Sequence, residues 1–411
     1  MLLKNEKRPG YKKTKVGWIP DDWECVPLGQ VFKKRTARGK QGVPVFSITQ
    51  DRGMVLRATL ERKNCNDVSA DKSLLVEPGD VAYNMMRMWQ GAVAVCKERC
   101  VISPAYVVCR PNADQVDSNF MFSYFKSKAG MHKLYAYSYG VTADRLRLYY
   151  EDFGLIPAPL PSLHEQMAIA GALECWDKVI KKLEDKIERK YQIKKGLALK
   201  LLSGQIRVRG FSKSWKRVRL GNICTLIMGQ SPGSEFYNIN GHGLPLIQGN
   251  TDVCNRKSAP RIWTSCVTKK CLPGDILMSV RAPVGEIALS VHEACLGRGM
   301  CAVRPNEVNP VFVFQTLLFM EEKWHSCSQG STFTAVNSKD VSRFQVFIPL
   351  DASEQCAIAE ILSATDAEIN ALQRKLALLK DQKKFLLNNL VTGTIRLPHF
   401  CKAARKGDRH E

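Results

Sequence analysis

Two similar stretches, HEQMAIAGAL at 164–173 and SEQCAIAEIL at 353–362, begin two copies of one segment in this 411-residue chain. With a shift of 189 residues, His164–Phe211 aligns with Ser353–Phe400 without a gap, and 18 of the 48 aligned positions are identical. Agreement over such a length at one fixed offset is the signature of an internal duplication. The chain therefore contains two repeats, and each duplicated segment follows a longer and more variable region.

The duplicated segments have the residue spacing of long helices. Their apolar residues recur in steps that alternate between four and three, which is the heptad pattern of a coiled coil. In the first segment these residues are Ile169, Leu173, Trp176, Ile180, Leu183, Ile187, Leu197 and Leu201. Gly204 and Gly393 follow the two segments and are typical of helix ends. We expect two helices of about 40 residues, each roughly 60 Å long.

The two helices are expected to pair antiparallel, because a whole domain separates them along the chain. The alternative is that each helix only covers the core of its own domain. Lys194 and Lys383 occupy equivalent heptad positions. A polar residue there either fixes the register of the pair or extends its stem so that the charge reaches water.

The variable regions repeat more faintly. Pro78–Asp80 matches Pro273–Asp275, and Arg110–Asn112 matches Arg304–Asn306. Short runs rich in Val, Ile and aromatic residues, punctuated by Gly, Pro and Asn, predict strands and turns. The predicted strands lie in VPVFSIT, GDVAYNMM, GAVAVC and AYVVC of the first region and in LPLIQGN, GDILMSV, GEIALSV and MCAVRP of the second. One helix is expected in each region, at Phe120–Lys133 and Val311–His325.

The fold class that follows is α+β, with two similar mixed α/β domains, two long antiparallel coiled-coil helices between them and a pseudo-twofold internal repeat. The predicted boundaries are 1–161 for the first domain, 162–205 for the first helix, 206–350 for the second domain, 351–395 for the second helix and 396–411 for a basic C-terminal tail.

The charge favours a polyanionic partner. The chain has 61 Lys and Arg against 39 Asp and Glu, which gives a net charge of +22 and a pI near 9.4. Nucleic acid is the first candidate and an anionic membrane surface the second. The chain has no apolar run long enough to span a bilayer and no signal-peptide core at its start. The 15 cysteines, without any C-x-x-C, are interpreted as buried thiols in a reducing cytoplasm.

The catalytic motifs that we sought are missing from the sequence: the phosphate-binding G-x-x-x-x-G-K-[ST] loop, G-x-G-x-x-G, G-x-S-x-G and H-E-x-x-H. Two other interpretations stay open. Asp51, Glu61 and Lys63 have the spacing of a metal-dependent nuclease site. A coiled-coil adaptor that binds acidic proteins would also explain the charge and the helices.

The chain resembles the specificity subunit of type I restriction-modification systems. The resemblance covers nearly the whole chain. Its motifs are GWIPDDWECVPLG at 17–29, PLPSLHEQMAIA at 159–170, IPLDASEQCAIA at 348–359, LLSGQIR at 201–207 and LVTGTIR at 390–396.

The resemblance implies a non-catalytic subunit with two target recognition domains that read the two halves of a bipartite double-stranded DNA sequence. The helices would serve as the spacer between the half-sites. The chain itself would bind no cofactor. Its partners would be two modification subunits, which bind S-adenosylmethionine and methylate adenine, and restriction subunits, which use ATP and Mg.

Candidate DNA contacts are loop residues whose side chains can pair with base edges. They are Gln50, Arg57, Arg87, Trp89, Arg145 and Arg147 in the first domain, and Gln230, Gln248, Asn250, Arg281, Gln329 and Thr332 in the second. The family docks its partners on the helical regions, so the helix-start residues Glu165, Gln166, Glu354 and Gln355 are docking candidates. The alternative for the two glutamates, compatible with docking, is that they complement the helix dipole.

Overall fold

Two long helices, Leu163–Leu202 and Ala352–Leu390, contain the duplicated segments. Each is followed by the glycine expected to end it, since Gly204 and Gly393 have φ values of 71° and 70° in the left-handed region. The computed structural model describes residues 8–39, 42–60, 72–142, 145–324 and 336–401.

The helices are divided between two units of the chain. One unit comprises residues 1–183 and 375–411, and the other comprises residues 184–374. Each unit therefore holds one globular domain and one half of each helix. These units cut across the segments predicted from the sequence, whose boundaries stay a prediction.

The first unit pairs the start of one helix with the end of the other. Ile169 and Leu173 share a buried core with Leu390 and Val391. The same core contains Trp23, Phe120, Phe153 and their neighbours from the globular domain. The helix halves thus pair with each other and also cover the domain core, so both arrangements considered from the sequence occur together.

The second unit repeats this arrangement with the opposite helix halves. Ala198 and Leu201 share a core with Ile358 and Leu362. In both units an early part of one helix meets a late part of the other, which confirms the expected antiparallel pairing. Phe312 and Leu317 of the globular domain complete this core.

The first globular domain is built on a four-stranded antiparallel sheet in the order Phe32–Lys34, Tyr106–Pro111, Val81–Asn84 and Val93–Val95. Its remaining strands are Tyr11–Thr14, Gly17–Pro20, Glu24–Pro27, Phe46–Thr49, Gly53–Leu56, Leu74–Val76, Cys100–Ile102 and Pro157–Leu160. Its helices are Leu28–Val31, Ser118–Lys126, Lys128–Ala136 and Tyr150–Leu155, and Pro398–Cys401 also belongs to this unit. The four strands predicted from the sequence are confirmed.

The second globular domain has the same four strands in the same order: Cys224–Met228, Met300–Pro305, Ile276–Ser279 and Ile287–Leu289. Lys257–Ser258 and Val253–Cys254 extend this sheet to six strands. A second sheet contains Tyr237–Asn238, Ile262–Thr264, Leu244–Ile247, Ala294–Leu296 and Lys270–Cys271, and a separate pair joins Trp215–Arg219 to Gln345–Pro349. The described helices of this domain include Leu220–Ile223, Pro310–Phe319 and Ser338–Arg343, and residues 321–324 are helical as well. The shared strand order confirms the internal repeat.

The single helix predicted at Phe120–Lys133 is wrong, because the structure has two helices that meet at Ser127. Ser127 has extended backbone angles and its hydroxyl accepts a hydrogen bond from the Gly130 amide at 3.1 Å, which starts the second helix. A Cβ atom at Gly130 would lie 2.0 Å from the Tyr124 carbonyl oxygen. The corner is therefore closed by a serine cap and a glycine, two local signals that the apolar pattern does not contain. The helix predicted at Val311–His325 is interrupted: Pro310–Phe319 ends at a turn at Met320, residues 321–324 are again helical, and His325 lies outside the described residues.

Candidate nucleic-acid interface

Two loops of the first domain bring predicted contact residues together. Gln50 follows the strand Phe46–Thr49, and Arg87 and Trp89 lie between two strands of the central sheet. The Gln50 amide nitrogen donates to the Gln90 carbonyl at 3.1 Å, and Arg87 Nη1 donates to Gln90 Oε1 at 3.2 Å. We call Gln50, Arg87, Trp89 and Gln90 the first loop cluster. Its arginine and glutamines present hydrogen-bonding groups at the surface.

Lys126, which the sequence did not single out, holds these loops together. Its ammonium donates to the Gln50 carbonyl at 2.9 Å and also to the Gly91 carbonyl. Burial lowers the pKa of Lys126. The lysine ends a helix, so it fixes both loops to the domain core. This role could not be predicted from the sequence, because the two acceptors of Lys126 are backbone carbonyls from distant parts of the chain.

Trp89 is half-buried, as a tryptophan in a loop often is. Its indole Nε1 donates to the Met86 carbonyl at 3.1 Å, and its ring lies edge-on to Tyr135 at a centroid distance of 6.1 Å. These contacts stabilise the loop. A DNA contact by Trp89 stays a prediction.

Arg145 and Arg147 are exposed, and Arg147 lies next to the loop of the first loop cluster. The amide of Leu148 donates to the Met85 carbonyl at 2.9 Å, so this segment borders the loop that carries Arg87. Arg57 lies apart, in the short turn after Gly53–Leu56, where its amide donates to the Val45 carbonyl. The structure thus brings together Gln50, Arg87 and Trp89, with Arg147 beside their loop.

In the second domain, Gln248, Asn250 and Arg281 line one pocket of about 660 Å³. Gln248 and Asn250 follow the strand Leu244–Ile247, and Arg281 follows Ile276–Ser279. Gln230 is exposed and precedes Ser231, which also lines the pocket. Gln329 and Thr332 lie outside the described residues. Contacts of these candidates with bases stay a prediction.

The sequence reasoning missed Arg298, which lines the same pocket. Arg298 lies between Gly297 and Gly299, and a Cβ atom at either glycine would come within 3.0 Å of the Gln248 backbone. Only glycine permits this close approach, which places the arginine beside Gln248. The G-R-G triplet was the available signal.

The two domains build their candidate surfaces from equivalent loops. In each domain, one loop follows a strand outside the shared four-stranded order and contains a glutamine, and the other joins two strands of the central sheet and carries an arginine. Asn250 Nδ2 contacts the Pro283 carbonyl at 3.4 Å, as Gln50 contacts Gln90. The same framework therefore presents different side chains in the two domains.

The four helix-start residues predicted to dock partners lie inside the units. Glu165, Gln166, Glu354 and Gln355 are buried, and their polar atoms are bonded within the chain. Gln166 accepts from the Asp117 amide at 2.8 Å, and Gln355 accepts from the Asn309 amide at 2.9 Å. These four side chains fasten the helix starts to the domains, so they are not exposed docking groups. Docking of partners near the helix starts stays a prediction.

The two glutamates form equivalent ion pairs in the two units. Glu165 accepts from Arg396 at 2.7 Å and from the indole of Trp23 at 3.0 Å. Glu354 accepts from Arg207, with oxygen–nitrogen distances of 2.6 and 2.7 Å. Arg207 and Arg396 are themselves related by the 189-residue shift. Hydrogen bonding to the glutamate raises the pKa of each arginine above its usual value.

For the nuclease interpretation, only Asp51 lies within the described residues. It is exposed and 3.9 Å from Arg52, whereas Glu61 and Lys63 lie outside the described part. Among the residues that are described, no three His, Cys, Asp or Glu side chains are grouped to hold a metal. The described helices include none that is long and apolar enough to cross a membrane.

The cysteine interpretation is confirmed in part. Seven of the described cysteines are buried, and burial raises the pKa of Cys224 and Cys301 to about 12. It is wrong for Cys175, Cys254, Cys356 and Cys401, which are exposed. Three of these four lie on helices at solvent-facing positions, which the sequence pattern of a small apolar residue does not reveal.

Comparisons with known proteins agree with this architecture. The family model for the type I restriction modification DNA specificity domain matches twice, at residues 20–189 and 212–380. A putative type I restriction enzyme MjaX specificity subunit from Methanocaldococcus jannaschii is 28% identical, over 97% of this chain and 99% of the relative. The type I restriction enzyme MjaVIII specificity subunit from the same organism is 21% identical over the same shares.

Solved structures share the fold. A chain from a study of complex assembly and conformational transition of the type I R-M system has a TM-score of 0.60 at 24% identity, covering 92% of this chain and 99% of that chain. The S subunit of a type I restriction-modification system from M. genitalium has a TM-score of 0.59 at 16% identity, covering 95% and 99%. With the family model matched over most of its length, this chain belongs to the type I restriction-modification specificity subunits and carries their DNA specificity domain twice.

Proposed function

We propose that this chain reads a bipartite double-stranded DNA target, one half-site with each globular domain, and presents it to partner subunits. The partners are two modification subunits that methylate adenine and restriction subunits that translocate and cut DNA. In this proposal the partners bind S-adenosylmethionine, ATP and Mg. The chain itself performs no catalysis, and the complex acts in the cytoplasm. The proposal rests on the family membership and on the site.

One observation carries the proposal. Two similar domains use equivalent loop pairs to present different polar side chains, with Arg87 and the glutamines in one and Arg281, Arg298 and the amides in the other. A shared frame with different loops is suited to reading two different sequences. Arginine and amide side chains are the groups that distinguish bases in the major groove.

The net charge of +22 supports the same proposal. Lysines and arginines outside the loops supply sequence-independent affinity for phosphates, and the loops supply the choice of sequence. Affinity is therefore expected to fall steeply as the salt concentration rises.

Methylome sequencing tests the proposal. A host that contains this gene and its modification subunit should have a bipartite adenine-methylated motif, and deletion of the gene should remove that motif. Replacement of residues 1–161 with another recognition domain should alter one half of the motif only. An unchanged methylome after deletion contradicts the proposal. Partner capture that survives nuclease treatment, without any motif, would instead support the adaptor interpretation.

A further inference from the structure

The pocket of the second domain is rich in hydrogen-bond donors. Arg281 and Arg298 line it and are exposed, and among the described residues neither guanidinium has a hydrogen-bond or ion-pair partner. The described lining residues include no carboxylate. A ligand that fits this pocket must offer acceptors in a plane, because the guanidinium group is a rigid planar fork of donors.

The amide side chains of the pocket are already engaged. Gln248 Nε2 donates to the Tyr237 hydroxyl at 3.0 Å, and that hydroxyl donates to the Pro232 carbonyl at 3.0 Å. Asn250 Nδ2 is directed at the Pro283 carbonyl. An amide reads adenine by donating to N7 while its oxygen accepts from N6. Each amide nitrogen already makes one bond, so the two arginines are the charged donors of the pocket that have no partner among the described residues.

The backbone on which both arginines stand is fixed. The Ser279 hydroxyl donates to the Pro283 carbonyl at 2.6 Å, which closes the loop that carries Arg281. The Arg298 amide donates to Ser231 Oγ at 3.0 Å, and the flanking glycines hold this turn against Gln248. Fixed attachment points favour a specific contact, since discrimination between bases requires a defined geometry.

We propose that this pocket recognises a guanine in the half-site of the second domain, with Arg281 or Arg298 donating to its O6 and N7. The proposal rests on the proposed DNA-reading function and adds the identity of a base. Guanine presents two acceptors on its major-groove edge, and an arginine fork is the commonest side chain that reads them.

The first domain does not share this feature. Arg87 already donates to Gln90 Oε1, and Gln90 also holds Gln50 through its carbonyl. The arginine of the first loop cluster is thus linked in a network within the chain. The guanine assignment is made for the second domain, whose pocket holds both unpaired arginines.

The test uses the complex of the full chain with its modification subunits, which methylates randomised DNA in vitro before methylome sequencing. The half-site of the second domain is assigned by the exchange of residues 1–161, which changes the other half only. We expect a required guanine in the assigned half. Arg281→Ala or Arg298→Ala should reduce the preference for that guanine by about ten- to a hundredfold, with the other half-site unchanged.

Two further variants make the test specific. Arg→Lys at the same position should not restore the preference, because an ammonium lacks the fork. Arg217→Ala removes an exposed arginine outside the pocket and should leave the motif intact. Thermal unfolding and co-purification with the modification subunits check that each variant is folded and assembled.

The outcomes separate the two proposals. If the unmodified complex produces no motif, the DNA-reading function itself is wrong. If the motif exists but its assigned half lacks a required guanine, only the guanine assignment is wrong. A uniform loss of affinity with an unchanged motif would show that both arginines bind phosphate, which also overturns it.

Discussion

Lys194 Nζ lies 2.6 Å from Asp366 Oδ1 across the helix pair of the second unit. The other oxygen of Asp366 accepts from Gln315 Nε2 at 2.8 Å. In the first unit Lys383 contacts Asp177, and both members of this pair are related to the first by the 189-residue shift. The lysines in the heptad seam therefore meet carboxylates on the facing helix, and these pairs exist only when the helices are in this register.

A double-mutant cycle should detect coupling between Lys194 and Asp366. We expect a coupling free energy of about 1 kcal/mol for Lys194→Ala and Asp366→Ala, because the pair is only partly shielded from solvent. Urea unfolding of both single variants and the double variant measures it. The exposed pair of Glu174 and Lys178 on one helix is the control and should couple more weakly. Additive effects at Lys194 and Asp366 would show that the contact contributes nothing.

Removal of Arg396 should destabilise the first unit strongly. Arg396→Ala leaves the buried Glu165 carboxylate without its cation and breaks the contact with Asp22. Loss of one partner of a buried pair costs on the order of 3 kcal/mol, measured as the free energy of unfolding. The double variant Glu165→Gln, Arg396→Ala should recover part of this loss, because it removes the unpaired charge.

Arg207→Ala is the matched comparison in the second unit. The Arg207 side chain is 31% exposed against 12% for Arg396, and within the described part of the chain no indole donates to Glu354 as Trp23 does to Glu165. Its loss should therefore be smaller than that of Arg396. An equal or larger effect would contradict the role assigned to burial.

The long helices were predictable because their apolar heptads and terminal glycines are local and repeated. The sequence also contained a sign of the residues that pair with the seam lysines, since Asp177 and Asp366 occupy equivalent positions in the two copies. Recognising them required the register of the antiparallel pair, which only the packed structure supplies. The burial of Glu165 and Glu354 was hidden for the same reason, because their arginines lie at the far end of the other duplicated segment.

For the candidate site, the sequence could predict only which residues lie in loops that follow strands. Gln248, Asn250 and Arg281 share a pocket because a strand of each sheet ends there, whereas the strand pattern indicated only that each residue lies in a loop. Arg298 and Lys126 were missed because their positions depend on tertiary contacts, with the Gln248 backbone in one case and with two backbone carbonyls in the other. The spacing of residues along the chain does not indicate such contacts.

Two glycine substitutions, one at the corner near Ser127 and one in a long helix, should change the stability of the protein in opposite directions. Gly130→Ala places a methyl group against the Tyr124 carbonyl, so the corner must open, at a loss of roughly 2 kcal/mol or more. Gly171→Ala lies in the long helix, where a Cβ meets nothing within 4 Å, and should stabilise by about 0.5–1 kcal/mol. Thermal unfolding of both variants provides the comparison. A stable Gly130→Ala protein would contradict the described corner.

Lys126 should control the half-site of the first domain without reading it. Lys126→Met removes the donor that joins the Gln50 and Gly91 carbonyls, so both loops lose their common anchor. We expect the first half-site to become degenerate and the second to keep its sequence, measured by methylome sequencing of the complex. Hydrogen exchange should quicken at the two loops.

Lys128→Met is the control for the loss of a positive charge, because Lys128 is exposed on the next helix and its ammonium has no hydrogen-bond or ion-pair partner among the described residues, while its backbone amide donates to Asn388. It should leave both half-sites unchanged. Lys126→Arg keeps a charged donor and should retain more of the first half-site than Lys126→Met. If the methionine variant folds, assembles and keeps its full motif, the loops hold their positions without Lys126, and the anchoring role is wrong.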